Sequence, residues 1–265
     1  MSAWENASWT GLDVARDGHV AVVTLDNPPA NTWTVHSLQA LHDLVAALDA
    51  DRSVYALVVT GRGAKFFSAG ADLKQFASGD KAAARAAARA FGRAFEALSA
   101  FRGVSIAAIN GYAMGGGLEV ALACDLRIAE QQAQLALPEA SVGLLPCAGG
   151  TQNLTRLVGE GWAKRMILLG ERVDADTALR IGLVEEVVPT GSALARAVQW
   201  ARKAGRQSPD SVAASKKLIQ AARSGSHAGA LVLEREAFVD LFDGANQKEG
   251  VAAFLDKREP AWVDG

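Results

Sequence analysis

The sequence predicts an α/β core with largely parallel strands, followed by a helical C-terminal segment. Three observations point that way. Val54 to Thr60 (VYALVVT) is a continuous apolar run, the pattern of a strand covered on both faces. Such runs alternate with stretches of helical spacing, the order that builds parallel sheets. Strands then give out after Pro189, and the chain is mostly helical from Ser192 to Phe254. A second unit is therefore expected to begin near Gly205, with residues 1–204 as the core and 205–265 as the helical part.

Taken in order, His19 to Leu25 (HVAVVTL) is a predicted strand stopped by Asn27-Pro28-Pro29. Leu38, Leu41, Leu44, Val45 and Leu48 recur at helical spacing, which predicts a helix from Thr34 to Asp49. Gly61-Arg62-Gly63 turns the chain after the Val54 strand; it lacks the third glycine of a dinucleotide fingerprint. Asp80 to Phe101 is Ala-rich and strongly helical, with charges at helical spacing. Leu126 to Ala129 is a short strand, short helices follow through Leu179, and Leu183 to Val188 is the last strand. No internal sequence repeat is visible.

Half of the 265 residues are apolar, enough for a large core. A formal net charge of −2 gives no global field to attract nucleic acid or an anionic membrane. Two cysteines, Cys124 and Cys147, argue against a disulfide framework and fit a reducing compartment. The stretch MSAWENASWTGLDVARDG has acids and no apolar centre, unlike a signal or transit peptide. No apolar run is long enough to span a bilayer. A cytoplasmic protein is the expectation. The four histidines, His19, His36, His42 and His227, are scattered without ligand spacing, so no metal is expected.

The chain is organised around Val104 to Asp125, VSIAAINGYAMGGGLEVALACD. An apolar run ends at Asn110-Gly111, then Gly115, Gly116 and Gly117 precede an apolar segment carrying Glu119. This reads as buried strand, tight turn and helix start, with free N–H groups at the helix start and a carboxylate just inside it. A buried acid is costly without a partner or a task. Anion-binding amides beside an acid or base make up half of an oxyanion-stabilised carbonyl chemistry.

Two further stretches join it: Ala69-Gly70-Ala71-Asp72-Leu73 after Phe67, and Pro138-Glu139 followed by Gly143 and Ala148-Gly149-Gly150-Thr151-Gln152. Their order and spacing, with the flanking words GYAMGGGLEVALACDLRIA, LPEASVGLLPCAGGTQNLTRLVG and GLVEEVV, resemble the enoyl-CoA hydratase (crotonase) family over nearly the whole chain, including QKEGVAAFLDKR. Each motif alone is weak; three in register are specific. The resemblance implies a crotonase-like spiral of ββα turns, with C-terminal helices that help assemble a homotrimer or hexamer. It also implies an acyl-CoA thioester substrate, with CoA arriving as part of the substrate and no resident cofactor. The thioester oxygen would sit between the amides of Ala71 and Gly116. Taken singly, either loop reads more simply as a tight turn closing strand onto helix; taken together with the two glutamates, the pair does not.

Glu119 and Glu139 match the two glutamates of hydratase members. By resemblance, Glu119 positions and activates water and Glu139 transfers a proton at the α-carbon; the reverse division satisfies the same chemistry. The two would titrate as a coupled pair. Relatives that isomerise, decarboxylate or hydrolyse thioesters often keep only one acid, so an isomerase using Glu139 alone is the rival within the family. Where many hydratases carry a glycine, this chain has Cys147, whose backbone N–H the resemblance assigns to the catalytic water; a left-handed backbone there would strain it. A nucleophilic thiol lacks any placed histidine, and Cys124 reads as packing. For CoA, the resemblance points to the backbone of Ala69, Gly70, Asp72 and Leu73, and to Lys74 and Lys257, the latter reaching the site only from the C-terminal helix, of its own or a neighbouring subunit. Each lysine is equally a solvated one. Phe238 and Phe242, four apart on a helix, would wall the acyl pocket, although packing is the simpler reading. Lys81, Arg85, Arg89 and Arg93 form a basic helix stripe. An RNA-contacting role is the functional reading, but no aromatic residues interleave, so a solvated face is favoured and no nucleic acid partner is expected.

Overall fold

The computed structural model describes residues 2–264. Two sheets lie side by side. The larger has six strands in the order β1 (Leu12–Asp17), β2 (Val20–Leu25), β3 (Ala56–Gly61), β5 (Val104–Ile109), β7 (Leu126–Glu130) and β10 (Glu186–Val188). β1 runs antiparallel to β2; every other neighbouring pair is parallel. The smaller sheet has the order β4 (Phe66–Ser68), β6 (Tyr112–Met114), β8 (Gln134–Ala136) and β9 (Val173–Asp174).

Strands β3/β4, β5/β6 and β7/β8 are consecutive pairs. Each gives its first strand to the large sheet and its second to the small one. Helix α2 (Lys81–Ala100) follows the first pair and α3 (Gly116–Ala123) the second. The result is a spiral of ββα turns with no matching repeat in sequence.

Local chemistry explains the elements. Helix α1 (Val35–Ala50) starts at Thr34, whose hydroxyl accepts from the Ser37 N–H while the Ser37 hydroxyl accepts from the Thr34 N–H, a capping box. Asp80 caps α2 by accepting from the N–H groups of Ala82 and Ala83. The α2 face Ala90, Phe91, Ala94, Phe95 and Leu98 is buried in the main core. β3 is buried at all six positions. Leu57 and Val59 enter the main core, whereas Ala56 and Val58 meet Ala193, Ala197 and Ala201 of α6 (Ala193–Ala204) on the opposite face of the sheet.

The remaining helices are α4 (Gly150–Leu168), α5 (Ala175–Arg180), α7 (Pro209–Ala221), α8 (His227–Asp240) and α9 (Ala245–Leu255). Gly205 is the C-cap of α6. Lys216 of α7 holds the next helix to the core, donating to the Gly103 carbonyl at 3.0 Å and the Asp125 carboxylate at 2.7 Å. Beyond it, large apolar side chains face outward: Ile219, Phe238, Phe254 and Leu255 are 62–82% exposed. Among the described residues no helix is long and apolar enough to cross a membrane.

Two expectations need correcting. The last strand begins at Glu186, not Leu183; Leu183 and Val184 are buried in the loop before it. The "turn" between Ile109 and the glycines contains strand β6. Asn110, at its start, is a buried latch: its side chain accepts from the Gly61 N–H and donates to the carbonyls of Gly61 and Gly63.

Helix α3 packs directly on β4 at Gly117. A Cβ there would stand 2.1 Å from the carbonyl oxygen of Ser68, a backbone atom with no freedom to move aside. Gly117→Ala is expected to cost about 3 kcal/mol, read as a lowered urea midpoint with an unchanged m-value.

Candidate active site

The three stretches singled out in the sequence converge on one cavity of about 690 Å³. Ala69, Gly70, Ala71, Leu73, Gly116, Glu119, Glu139 and Cys147 all line it.

The 69–72 loop is fixed through Trp33. The Trp33 N–H donates to the Gly70 carbonyl at 2.8 Å, and the Asp72 N–H donates to the Trp33 carbonyl at 3.0 Å. This short parallel bridge spans Ala71 and uses the groups on either side of it. The Ala71 N–H therefore points away from the ladder, and it donates to no protein acceptor among the described residues. The Trp33 ring is buried against Phe95. Gly70 lies so close to the neighbouring loop that a Cβ would be 2.6 Å from the Met114 carbonyl and 3.1 Å from the Gly116 nitrogen. Its φ of 87° also belongs to glycine. The two loops are thus in direct contact. Gly116 is the first residue of α3, where no intrahelical acceptor exists for its N–H; it too donates to no acceptor among the described residues.

Glu119 is 3% exposed, one turn into α3. One oxygen, Oε1, accepts from the N–H groups of Ala148 at 2.7 Å and Gly150 at 2.9 Å. Burial pushes its pKa up, and the two amide bonds pull it partly back. Glu139 starts a 3₁₀ turn, Glu139–Val142, after Pro138. It is half-buried, and its Oε2 is buried with no hydrogen-bond partner among the described residues. Burial, with a smaller contribution from the charge of Glu119, raises its pKa from 4.5 to about 7. One cavity thus holds two carboxyl groups whose pKa values are both raised, and the charge of Glu119 acts on Glu139.

Cys147 lies on the cavity wall without a left-handed backbone, so the glycine replacement brings no φ strain. Its N–H donates to no carbonyl or carboxylate among the described residues. Crowding by protein, then the charges of Glu119 and Glu139, push its thiol up to about 11, far from a nucleophile's range. Cys124 is buried, and its thiol is pushed up to about 12.

Other expected residues lie elsewhere. The Asp72 side chain accepts from the Lys74 N–H at 3.1 Å and caps a 3₁₀ turn, Leu73–Phe76; neither residue lines the cavity. Phe238 and Phe242 pack on each other, with ring centroids 5.4 Å apart, on the exposed C-terminal surface, and a single chain does not wall its cavity with them. Lys257, with φ 56°, follows α9 and is also outside it. The sequence reading missed the Ala148 and Gly150 amides as the seat of Glu119, and Trp33 as the clamp on the Ala71 loop. Amide roles leave no side-chain signature; the signal present was Gly149-Gly150 opening a helix.

The raised pKa of Glu139 has a stability consequence. Between pH 4.5 and about 7 the folded chain keeps a proton that the unfolded chain releases, so the folded state loses stability as pH rises through this window. Glu139→Gln removes that loss. The variant is expected to be more stable than the parent at pH 8 by roughly 1–3 kcal/mol, allowing for solvent screening, and so to unfold at a higher temperature, and to match it at pH 4. Scanning calorimetry at the two pH values is the check.

The comparisons with known proteins agree with this geometry. The family model for enoyl-CoA hydratase/isomerase matches residues 15–265. Among curated relatives, a short-chain-enoyl-CoA hydratase of Clostridium acetobutylicum is 37% identical over 92% of this chain and 94% of its own. A 2,3-dehydroadipyl-CoA hydratase of Escherichia coli is 39% identical over 94% and 97%. A solved structure of Pseudomonas aeruginosa DspI is 62% identical with a TM-score of 0.96, covering 99% of this chain and 100% of that one. With the ββα spiral, the glycine-bounded loops and the paired glutamates in place, this chain belongs to the enoyl-CoA hydratase/isomerase family, as a hydratase-like member with the crotonase fold.

Proposed function

We propose that this protein is an enoyl-CoA hydratase, adding water across the 2,3 double bond of a 2-enoyl-CoA to give a 3-hydroxyacyl-CoA. The observation that carries the reading is the meeting, in one cavity, of two unpaired main-chain amides and two carboxyl groups.

The thioester oxygen lies between the amides of Ala71 and Gly116. As water adds, negative charge moves onto that oxygen, and fixed donors stabilise it more than the ground state. Glu119, seated by Ala148 and Gly150, takes a proton from the water as its oxygen bonds to C3. Glu139 in its acid form gives a proton to C2. Its raised pKa keeps that acid form populated near neutrality, and its unpartnered Oε2 is free to deliver the proton. The next turnover requires return of a proton from Glu119 to Glu139, directly or through water. The chemistry uses main-chain donors and carboxylates, with CoA as part of the substrate and no resident cofactor.

The outward apolar residues of α8 and α9 support self-association, as a homotrimer or hexamer. That association is also the route by which Phe238, Phe242 and Lys257 would approach a neighbouring subunit's site. The two free thiols and the near-neutral charge fit a cytoplasmic setting.

Loss of enoyl absorbance with crotonyl-CoA is the direct assay, and migration of a 3-enoyl bond without water uptake would instead identify an isomerase. Glu139→Gln is expected to lower kcat by about 10²–10⁴. Glu119→Gln is expected to lower it similarly with the fold retained, because its amide oxygen still accepts from Ala148 and Gly150. Hydration by the parent should decline as pH rises through about 7, following loss of the Glu139 proton. Sedimentation should give three or six chains per particle, and Phe254→Glu should shift it towards smaller species.

A further inference from the structure

The cavity extends well past the reacting atoms. Phe91 marks its inner end: the edge of its ring lies 2.9 Å from where a Cβ would stand on Gly116. From there Ala88 and Ala84 continue along the same face of α2, and all three line the cavity. The seven residue steps from Phe91 back to Ala84 correspond to about 10 Å of helix. Alanine at both positions leaves this side of the cavity open where a larger side chain would close it.

The rest of the lining away from the two glutamates is largely apolar too. Val142, the last residue of the 3₁₀ turn, and Leu144 and Leu145 of the loop before Pro146 line the cavity, and they are 52%, 41% and 67% exposed. Leu73, 51% exposed, also lines it. Glu119 and Glu139 are the charged residues of the lining, and both belong to the reacting end. Large apolar side chains left exposed around one concave site mark the place of an apolar ligand.

Resting on the hydratase reading, we propose that this furrow holds the acyl tail, that Ala84 and Ala88 set its permitted length, and that the preferred substrates are linear aliphatic 2-enoyl-CoAs of about eight to ten carbons. The length follows from geometry. An extended chain advances about 1.2 Å per bond, one third of the span of a residue, so about 10 Å of furrow takes about eight bonds beyond the thioester carbon. A four-carbon tail ends beside Phe91 and leaves Ala84, Leu144 and Leu145 without contact. A polar or dicarboxylic tail would bury its charge among leucines.

The test is hydration of trans-2-enoyl-CoAs of four, six, eight, ten and twelve carbons by the assembled protein and by Ala84→Leu and Ala88→Leu. Both substitutions suit a helix, and Ala84 is exposed, so the fold is expected to persist. The parent should show kcat/KM for eight to ten carbons at least tenfold above four carbons, chiefly through KM, because tail contacts are similar in ground and transition states. Each leucine variant should lower the ten-carbon value at least tenfold, and Ala84→Leu, which a four-carbon tail does not reach, should leave the four-carbon value within twofold. A parent that favours four carbons would overturn the proposal and is the result expected if a second subunit, not the acyl tail, fills the furrow. Equal losses on short and long substrates in the variants would overturn the role of the two alanines. Failure of the hydratase reading looks different: no chain length would be hydrated, or Glu139→Gln would leave every rate unchanged.

Discussion

The arrangement rests on one buried carboxylate. Glu119 sits in an apolar helix with almost no access to water, where an unpaired charge would be prohibitive. The amides of Ala148 and Gly150 make it tolerable, and in doing so they fasten the start of α4 to the first turn of α3. Both amides bind the same oxygen. The seat therefore fixes where the carboxylate stands without using up its second oxygen. The segment carrying Cys147 is held by this seat, as is the approach of the Leu144–Leu145 loop to the cavity.

Around it the molecule treats polar groups in two ways. Away from the cavity, buried charge is thoroughly paired. Arg127, 2% exposed, donates to the carbonyls of Leu183 and Cys124 and to the Glu185 carboxylate, joining β7 to the approach of β10. Lys216 meets both a carbonyl and Asp125. At the cavity the pattern reverses. The amides of Ala71 and Gly116 and one oxygen of Glu139 have no partner among the described residues. Groups left unsatisfied in a folded chain are costly, and a substrate whose charge shifts during reaction is what they would satisfy. The well-paired surroundings hold these groups in place.

The large sheet and the long helices were legible because their patterns are long. The six consecutive buried positions of β3 and the capped α1 and α2 announce themselves over six to twenty residues. The small sheet was not. β4, β6 and β8 have three residues each and β9 has two, too few for an alternation to emerge, and β6 was absorbed into a turn because Asn110-Gly111 stands before it. β1 was passed over because its sequence, LDVARD, is half charged, as suits an edge strand. At the site, the glutamates and glycine loops were legible through three motifs in register. The main-chain seat of Glu119 and the bridge from Trp33 were not, since any residue except proline supplies an amide and only three-dimensional placement reveals which ones matter. Phe238, Phe242 and Lys257 mark a different limit: their relation to a site depends on how chains associate, which one chain's pattern does not encode.

The contact between Tyr55 and Asp264 bears on how the chain matures. The Tyr55 hydroxyl donates to the Asp264 carboxylate at 2.6 Å across 209 positions, and burial with that carboxylate pushes the phenol up to about 12. Trp262 and Val263 add bonds to Arg206 and Asn246 beside it. A nascent chain that has already assembled β2, β3 and β5 must wait for these late residues before the Tyr55 corner closes. Closure of this corner is therefore a long-range event, joining groups that are 209 positions apart along the chain.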